Sequence, residues 1–371
     1  MNKKIITITS GLGNQMFQYA LFYSLIKQQK KVSLFCYTKY LNQHNGLEIN
    51  TIFKNVVIPK NKLSDKFHIA LLNFATLTNK VFEKLRLSNY LPDLRKLFKY
   101  IVVFPDAKSY IFNIEVFSDL KNNVFLFPEI IDNLNKEIYK NIISCESVSI
   151  HIRRGDYIHN PINRVFHGDV CDISYYRNAI NYIEQHIKKP VYFVFSDDPE
   201  WCKDNLSLKN VVYINHNSKD NSFRDMQLMA SCKHNIIANS TFSAWAALLN
   251  NQKDNIIIAP EKWINNIHDN SKFKLCIDSW IFINNNFPSV SLISKHEFEQ
   301  INLNNILKQS FNDFELLCLQ DCLVRDNRIK NINTNIPMGK VIFEIDCTEI
   351  IKFNDSQYLI KKLINHYKSI N

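Results

Sequence analysis

The chain has 371 residues, more than one ordinary domain holds, and its 46% hydrophobic and 12% aromatic content excludes a disordered chain. A formal net charge of +10 suits an anionic partner, yet the basic residues are scattered rather than blocked together, so nucleic-acid binding is not the expected main function. Nine cysteines, an odd number with no C-x-x-C and no Cys/His pair at zinc spacing, read as core thiols of a reducing compartment.

Met1-Asn2-Lys3-Lys4 runs straight into a strand over Lys4–Thr9, without an apolar leader of signal-peptide length. No apolar run is long enough to span a bilayer, so a cytoplasmic place is expected, with peripheral attachment at the inner membrane surface left open. Ser10-Gly11-Leu12-Gly13-Asn14-Gln15 then reads as a turn before a helix over Met16–Gln28, with Met16, Phe17, Ala20, Leu21, Ser24 and Leu25 on one face. Such a turn leaves backbone N–H groups free at a helix start, as ligand loops do. It is neither G-x-G-x-x-G nor a P-loop, and a plain tight turn is the competing reading. A strand over Lys31–Tyr37 completes a β-loop-α-β opening, the start of a parallel sheet. From about residue 50 to 120 helical patterns prevail, the longest over Leu63–Leu87, punctuated by Pro92, Pro105 and Pro128. They read as an insertion in the first domain, with their Phe and Leu stripes in its core. A helix over Asn133–Cys145 leads to the central strand.

That strand, Ser147-Val148-Ser149-Ile150, ends in His151-Ile152-Arg153-Arg154-Gly155-Asp156-Tyr157. Adjacent guanidiniums repel unless an anion neutralises them, and a diphosphate matches their planar fork of donors. Gly155 is expected to let the backbone turn sharply. A solvated basic turn with an Arg–Asp surface pair is the bland alternative. A polar loop carrying His159, His167 and Asp169 follows, then a helix over Ile173–Ile187 and an apolar strand over Pro190–Phe195. Ser196-Asp197-Asp198-Pro199 comes next, where Ser196 or Asp198 could cap a helix over Pro199–Asn205. Strand Val211–Ile214, helix Ser222–Ser231, strand Asn235–Ala238, loop Asn239-Ser240-Thr241-Phe242-Ser243, helix Ala244–Leu249 and a last strand, Asn255–Ala259, complete the unit. Three polar loops thus fall at one sheet edge, where doubly wound α/β domains bind ligands. The arginines suit a diphosphate, Asp197 a nucleobase or ribose, and the Ser/Thr loop at a helix start suits phosphate. Helix capping is the competing reading for the Asp and Ser/Thr loops.

These four motifs, Gly11-Leu12-Gly13-Asn14-Gln15-Met16-Phe17-Gln18-Tyr19, His151 to Tyr157, Phe195 to Asp198 and Asn239 to Ser243, stand in the order seen in α-1,2-fucosyltransferases. Over roughly residues 1–287 the chain resembles the bacterial members of that family, glycosyltransferase family 11. The resemblance implies an α/β fold of GT-B type, with two facing Rossmann-like domains over 1–145 (acceptor side) and 146–287 (donor side). It implies inverting transfer of L-fucose from GDP-β-L-fucose to the 2-hydroxyl of a galactose-terminated surface glycan such as O-antigen, with no metal and no cofactor. By that likeness Arg153 is the chief diphosphate ligand, with Arg154 in support. His151 and Asp197 contact the nucleoside, and Ser240, Thr241 and Ser243 line the phosphates. Asn14 and Gln15 approach donor or acceptor. Ser10 stands where the family commonly has Gly, and Ala244, Ala246 and Ala247 also depart from its pattern, which bears on acceptor and loop details. For inversion a base must take the acceptor proton while the arginines and the helix N-terminus stabilise departing GDP. Asp156 is the nearest carboxylate; orienting Arg153 or Arg154 is its other possible role.

Residues 288–371 differ in character. Strand Pro288–Ser294, helix Glu299–Gln309 and the stretch Ser310 to Asp321 after it are similar to the opening β-α-β of a family 2 glycosyltransferase of GT-A type. Asp321 is followed by Cys322-Leu323 rather than the usual Asp-Gly-Ser, and no Asp-x-Asp follows, so a catalytically inert appendage is expected. Two other functions compete with the main reading: a transferase using Asp197-Asp198 with Mg or Mn, and a basic polyanion-binding protein.

Overall fold

The computed structural model describes residues 3–42, 44–84, 93–97, 101–103, 114–265, 279–283, 290–294, 306, 309, 314–318, 329–331, 341–345 and 357–369. Pro92, Pro105, Asp321 and most of the helix expected over Glu299–Gln309 lie outside these. Every strand pairing among the described residues is parallel, and the α/β expectation holds. By contact the chain forms two compact units, one of residues 1–140, 216–231 and 241–251, the other of 141–215, 232–240 and 252–371. Two segments from the expected 146–287 range therefore group with the first unit. The chain crosses between the units at Ser240–Thr241.

The first unit holds a three-stranded sheet, β2 (Val32–Cys36), β1 (Lys4–Ile8), β3 (Val102–Val103). Helix α1 spans Leu12–Lys27, so it begins four residues before the expected Met16. The Gly-Leu-Gly-Asn-Gln motif is thus mostly the first turn of a helix, and only Ser10 takes the left-handed region, at φ 65°. Glycine would adopt that conformation without a Cβ penalty, which gives the Ser-for-Gly departure a physical meaning. Helix α2 (Leu63–Lys84) packs Ile69 and Leu72 with Ile5, Tyr37 and Val102. Helix α3 (Asn133–Ile143) follows.

The second unit holds a six-stranded sheet of β4 (Ser147–Ile152), β5 (Val191–Ser196), β6 (Val211–Ile214), β7 (His234–Ile236), β8 (Ile257–Pro260) and β9 (Ile281–Ile283). Their spatial order, β6-β5-β4-β7-β8-β9, is the 3-2-1-4-5-6 order of dinucleotide-binding folds. Strand β9 lies beyond the strand read as last: a three-residue strand carries too little periodicity to be seen in sequence. The stretch after Arg154, expected as a loop, is two short helices, α4 (Gly155–His159) and α5 (Pro161–His167). Asn160 starts α5, its side chain accepting the Ile162 and Asn163 N–H groups, with Pro161 at the first helical position. Helices α6 (Ile173–His186) and α7 (Pro199–Asn205) follow. Helices α8 (Phe223–Ser231) and α9 (Thr241–Leu249) belong to the first unit.

A third parallel sheet, also in the second unit, orders β12 (Ile329–Asn331), β11 (Phe314–Cys318), β10 (Val290–Ser294) and β13 (Val341–Ile345). Helix α10 (Tyr358–Ser369) packs with it. The core of this module includes Val165 of α5, and the Arg164 guanidinium lies 4.4 Å from the Tyr367 ring centroid. The tail is therefore built onto the helix that follows the arginine motif. Among the described residues no helix is long and apolar enough to cross a membrane.

Candidate active site

Strand β4 is buried along its whole length, which fixes the direction in which its last residues emerge. The Tyr176 hydroxyl donates to the His151 carbonyl at 3.0 Å. Burial pushes the His151 imidazole down to about 4, against the pull of Asp197, so at neutral pH the ring is uncharged. A neutral imidazole offers one donor and one acceptor.

The next residues form a lattice with the end of β5. Arg153 Nη2 lies 2.6 Å from Asp156 Oδ1, and its Nη1 lies 2.9 Å from Asp197 Oδ2. Asp197 Oδ1 accepts the Arg154 backbone N–H at 2.8 Å. Arg154 Nε donates to Asp198 Oδ2 at 2.9 Å, and its guanidinium lies 4.1 Å from the Trp201 ring centroid. Asp198 also accepts the Trp201 N–H at 3.2 Å, so the expected helix cap and a partner for arginine are one residue. The arginines are thus neutralised by the protein's own carboxylates, which corrects the argument that their repulsion alone demands a diphosphate. Burial would lower the Arg153 pKa, but Asp197 and Asp156 outweigh it and raise it. Its two ion pairs use two of five guanidinium donors, on a side chain that is 35% exposed.

Gly155 serves this lattice by its missing side chain. A Cβ there would stand 2.7 Å from Asp197 Oδ2. Its φ is not positive, so the expected role in a sharp turn gives way to one of space. Tyr157 lies beneath Arg153, 5.7 Å from ring centroid to guanidinium, and stacks on His167 at 5.0 Å. Burial raises its phenol well above the usual range, so it stays a donor, and it gives a 3.2 Å bond to the Asn239 carbonyl. The Asn239 side chain donates to the carbonyls of His167 and Trp263, both at 3.1 Å. Asn163 of α5 donates to Asp156 Oδ2 at 3.2 Å. These contacts tie the ends of β4, β5 and β7 together. Strands β4 and β7 are the pair at which the strand order reverses, and the crevice outside their carboxyl ends is where such sheets bind ligands. Ser240, two residues beyond Ala238 in the same unit, is buried there.

The amino-terminal motif is used differently. Gln15 is fully buried. Its Nε2 donates to the carbonyls of Ser10 and Gly46, both at 2.8 Å, and its Oε1 accepts the Glu48 and Ile49 N–H groups at 3.0 and 3.2 Å. Expected to approach a substrate, this side chain has all four bonds inside its own unit. Asn14 lies in the first turn of α1, its N–H bonded to the Gly11 carbonyl at 3.0 Å. Three of the N–H groups expected to be free there are occupied as well. Gly11 O takes those of Asn14 and Gln15, and the Glu48 carboxylate takes that of Leu12. A Cβ at Gly13 would stand 2.6 Å from Phe242 N, so α1 meets the start of α9 backbone to backbone. Thr241 and Ser243 belong to that first turn, with Ser243 fully buried; Phe17 packs on Trp245 below them at 4.8 Å.

Sequence reasoning did not single out Trp201 or Asn163, and named His167 only as one of the polar residues of its loop. Tyr157 and Asn239 stood inside quoted motifs, a signal that could have marked them. Trp201 and Asn163 reach the lattice only through helices α7 and α5, and nothing in the local pattern marks them.

A family model described as Glycosyl transferase family 11 matches residues 2–284. The chain belongs to that family. The family 11 match ends before the third sheet begins. The chain is 36% identical over 308 residues to the O-antigen biosynthesis glycosyltransferase WbnK of Escherichia coli, covering 74% of this chain and 98% of that protein. It is 32% identical over 300 residues to an Escherichia coli alpha-1,2-colitosyltransferase, covering 76% and 99%. A 104-residue stretch is 35% identical to galactoside alpha-(1,2)-fucosyltransferase 2 of Mus musculus, covering 28% and 30%. The identification made from the motifs holds, and with it the assignment of the chain as a glycosyltransferase.

Proposed function

We propose that this family 11 enzyme transfers L-fucose from GDP-β-L-fucose to the 2-hydroxyl of a terminal galactose, with inversion and without a metal. The observation that carries the reading is the Arg153–Arg154–Asp197 lattice at the switch point of a 3-2-1-4-5-6 parallel sheet. The remaining donors of Arg153 meet the β-phosphate oxygen on which charge develops as the sugar departs, and Arg154 supports them. Neutral His151 and Asp197 serve the nucleoside, and Ser240, in the same unit, the phosphates. Asp156 orients Arg153: one of its oxygens holds the guanidinium and the other Asn163. Both carboxylates of the Asp197-Asp198 pair already hold arginines, which counts against their use as metal ligands. Among the described residues no three His, Cys, Asp or Glu side chains are grouped to hold a metal ion. The reading carries with it the GT-B arrangement implied by the motifs and a role in O-antigen synthesis, which the name of the WbnK relative supports.

The colitosyltransferase relative favours a second reading, in which the donor carries colitose. The purified protein, with EDTA present, is to be given GDP-fucose or GDP-colitose and a panel of β-galactosides, and the linkage read by NMR. Formation of α-1,2-fucosyl galactoside is expected. Transfer from GDP-colitose alone supports the second reading, and transfer that needs added Mg or Mn overturns the metal-independent mechanism.

A further inference from the structure

Helix α2 carries two apolar faces. One is inward: Ile69 and Ala75 are buried, and Asp65 on the same side is buried against Lys3. The other lies in the open. Leu63 is 84% exposed, Phe67 62%, Phe74 68%, Leu77 63% and Val81 47%, and Leu71 extends the same stripe. At 100° per residue these six fall within about 120° of the helix circumference, centred opposite the buried face. The stripe runs from residue 63 to 81, about 27 Å at 1.5 Å per residue. The sequence pattern alone read these Phe and Leu residues as core. Of the Phe and Leu residues the core takes Leu72, whereas Leu63, Phe67, Leu71, Phe74 and Leu77 are exposed, because one helix can turn a single face to the sheet.

Large contiguous apolar patches mark an interaction surface. The charges around this one identify its chemistry. Lys60, Lys62, Lys66 and Lys80 are exposed, with Lys66 and Lys80 along one flank of the stripe. The only acidic residue between Lys60 and Phe82 is Asp65, which is buried and ion-paired. A second copy of this helix laid antiparallel would set the Lys66 flank against Lys80 with no carboxylate to relieve it. An anionic lipid surface complements both features, taking the aromatic and aliphatic stripe into its headgroup boundary and the lysines at its phosphates. We infer that the outer face of α2 seats the protein on an anionic bilayer surface, lying on it rather than crossing it.

The test is flotation of the full chain with vesicles of phosphatidylglycerol and phosphatidylethanolamine in equal parts, or of phosphatidylcholine alone. The wild type floats with the anionic vesicles, is released by high salt, and stays behind with phosphatidylcholine. Phe67→Ser/Phe74→Ser and Lys66→Glu/Lys80→Glu each reduce flotation at least tenfold, with unchanged melting midpoints and unchanged transfer to a soluble acceptor. No flotation of the wild type, or flotation indifferent to both variants, overturns the inference. So does a melting midpoint several degrees lower in Phe67→Ser/Phe74→Ser, which would show the face packed within the fold. A dimer in sedimentation equilibrium that the same variant dissociates would assign the face to a second copy instead. None of these readouts depends on which sugar is transferred.

Discussion

At the β1–α1 turn, Gln15 has all four of its hydrogen bonds to backbone groups of its own unit, and Glu48 closes the helix start. At the β4–α4 turn, Arg153 and Arg154 are held by Asp156, Asp197 and Asp198, with the Arg153 side chain still 35% exposed. Both motifs are polar, follow a parallel strand and contain glycine. The glycines differ too: Gly13 makes room for another backbone, Gly155 for a carboxylate. A polar motif residue whose bonds are saturated by its own backbone is scaffold. One held in place by partners that leave donors open is suited to a ligand.

The sharpest break of this comparison would be an Arg153→Ala protein that still works. It is expected to fold normally by circular dichroism and to lose about 10³-fold in transfer, since an aimed donor at developing charge is worth roughly 10² to 10³. Gln15→Ala should act in the opposite register. It leaves four peptide groups without their Gln15 partner, the Glu48 and Ile49 N–H groups buried and the Ser10 and Gly46 carbonyls half-buried, and should lower stability in urea by about 2–3 kcal/mol, with transfer per folded molecule near wild type. A large rise in KM without loss of stability would move Gln15 to the substrate.

Acid pH sharpens the contrast further. His151 is held at about 4 in the folded protein against an ordinary 6.5, so the unfolded chain binds the extra proton between those values. Its contribution to stability is complete above about pH 6.5 and is lost as pH falls toward 4, some 3 kcal/mol in all. Asp225, which burial raises to about 7, works the other way and loses stability as pH rises through that window. The measurement is therefore the difference in unfolding free energy between wild type and His151→Asn at pH 7.5 and pH 5; equal pH slopes would contradict the burial of His151. The smallest effects concern the glycines. Gly13→Ala should cost about 1–3 kcal/mol by forcing α1 from α9. Gly155→Ala should cost under about 1 kcal/mol, because a carboxylate can swing aside, yet slow transfer about tenfold as Asp197 leaves Arg153. Equal melting midpoints for the two variants would remove the distinction.

Much of this was legible beforehand. Helix Pro199–Asn205 and strand Val211–Ile214 coincide with their sequence assignments, because Asp198-Pro199 and the apolar run are local signals. The start of α1, strand β9 and helices α4 and α5 were not legible. Gly13 and Asn14 are poor helix formers, and the contacts of Gln15 and Glu48 help to hold them in a first turn. The outward stripe of α2 was read as core, because periodicity reports that a face is apolar and not what covers it.

The amino-acid sequence by itself determined the alternation of strand and helix, the family, and which residue types stand at the end of each strand, since all of these are written within a few residues of one another. Tertiary structure alone decided that Asp197 and Asp198 hold the arginines, that Gln15 is scaffold, and that the tail shares a core with Val165. Those outcomes rest on contacts between residues tens to more than a hundred positions apart, and such contacts exist only once the parallel sheet order has brought the strand ends together.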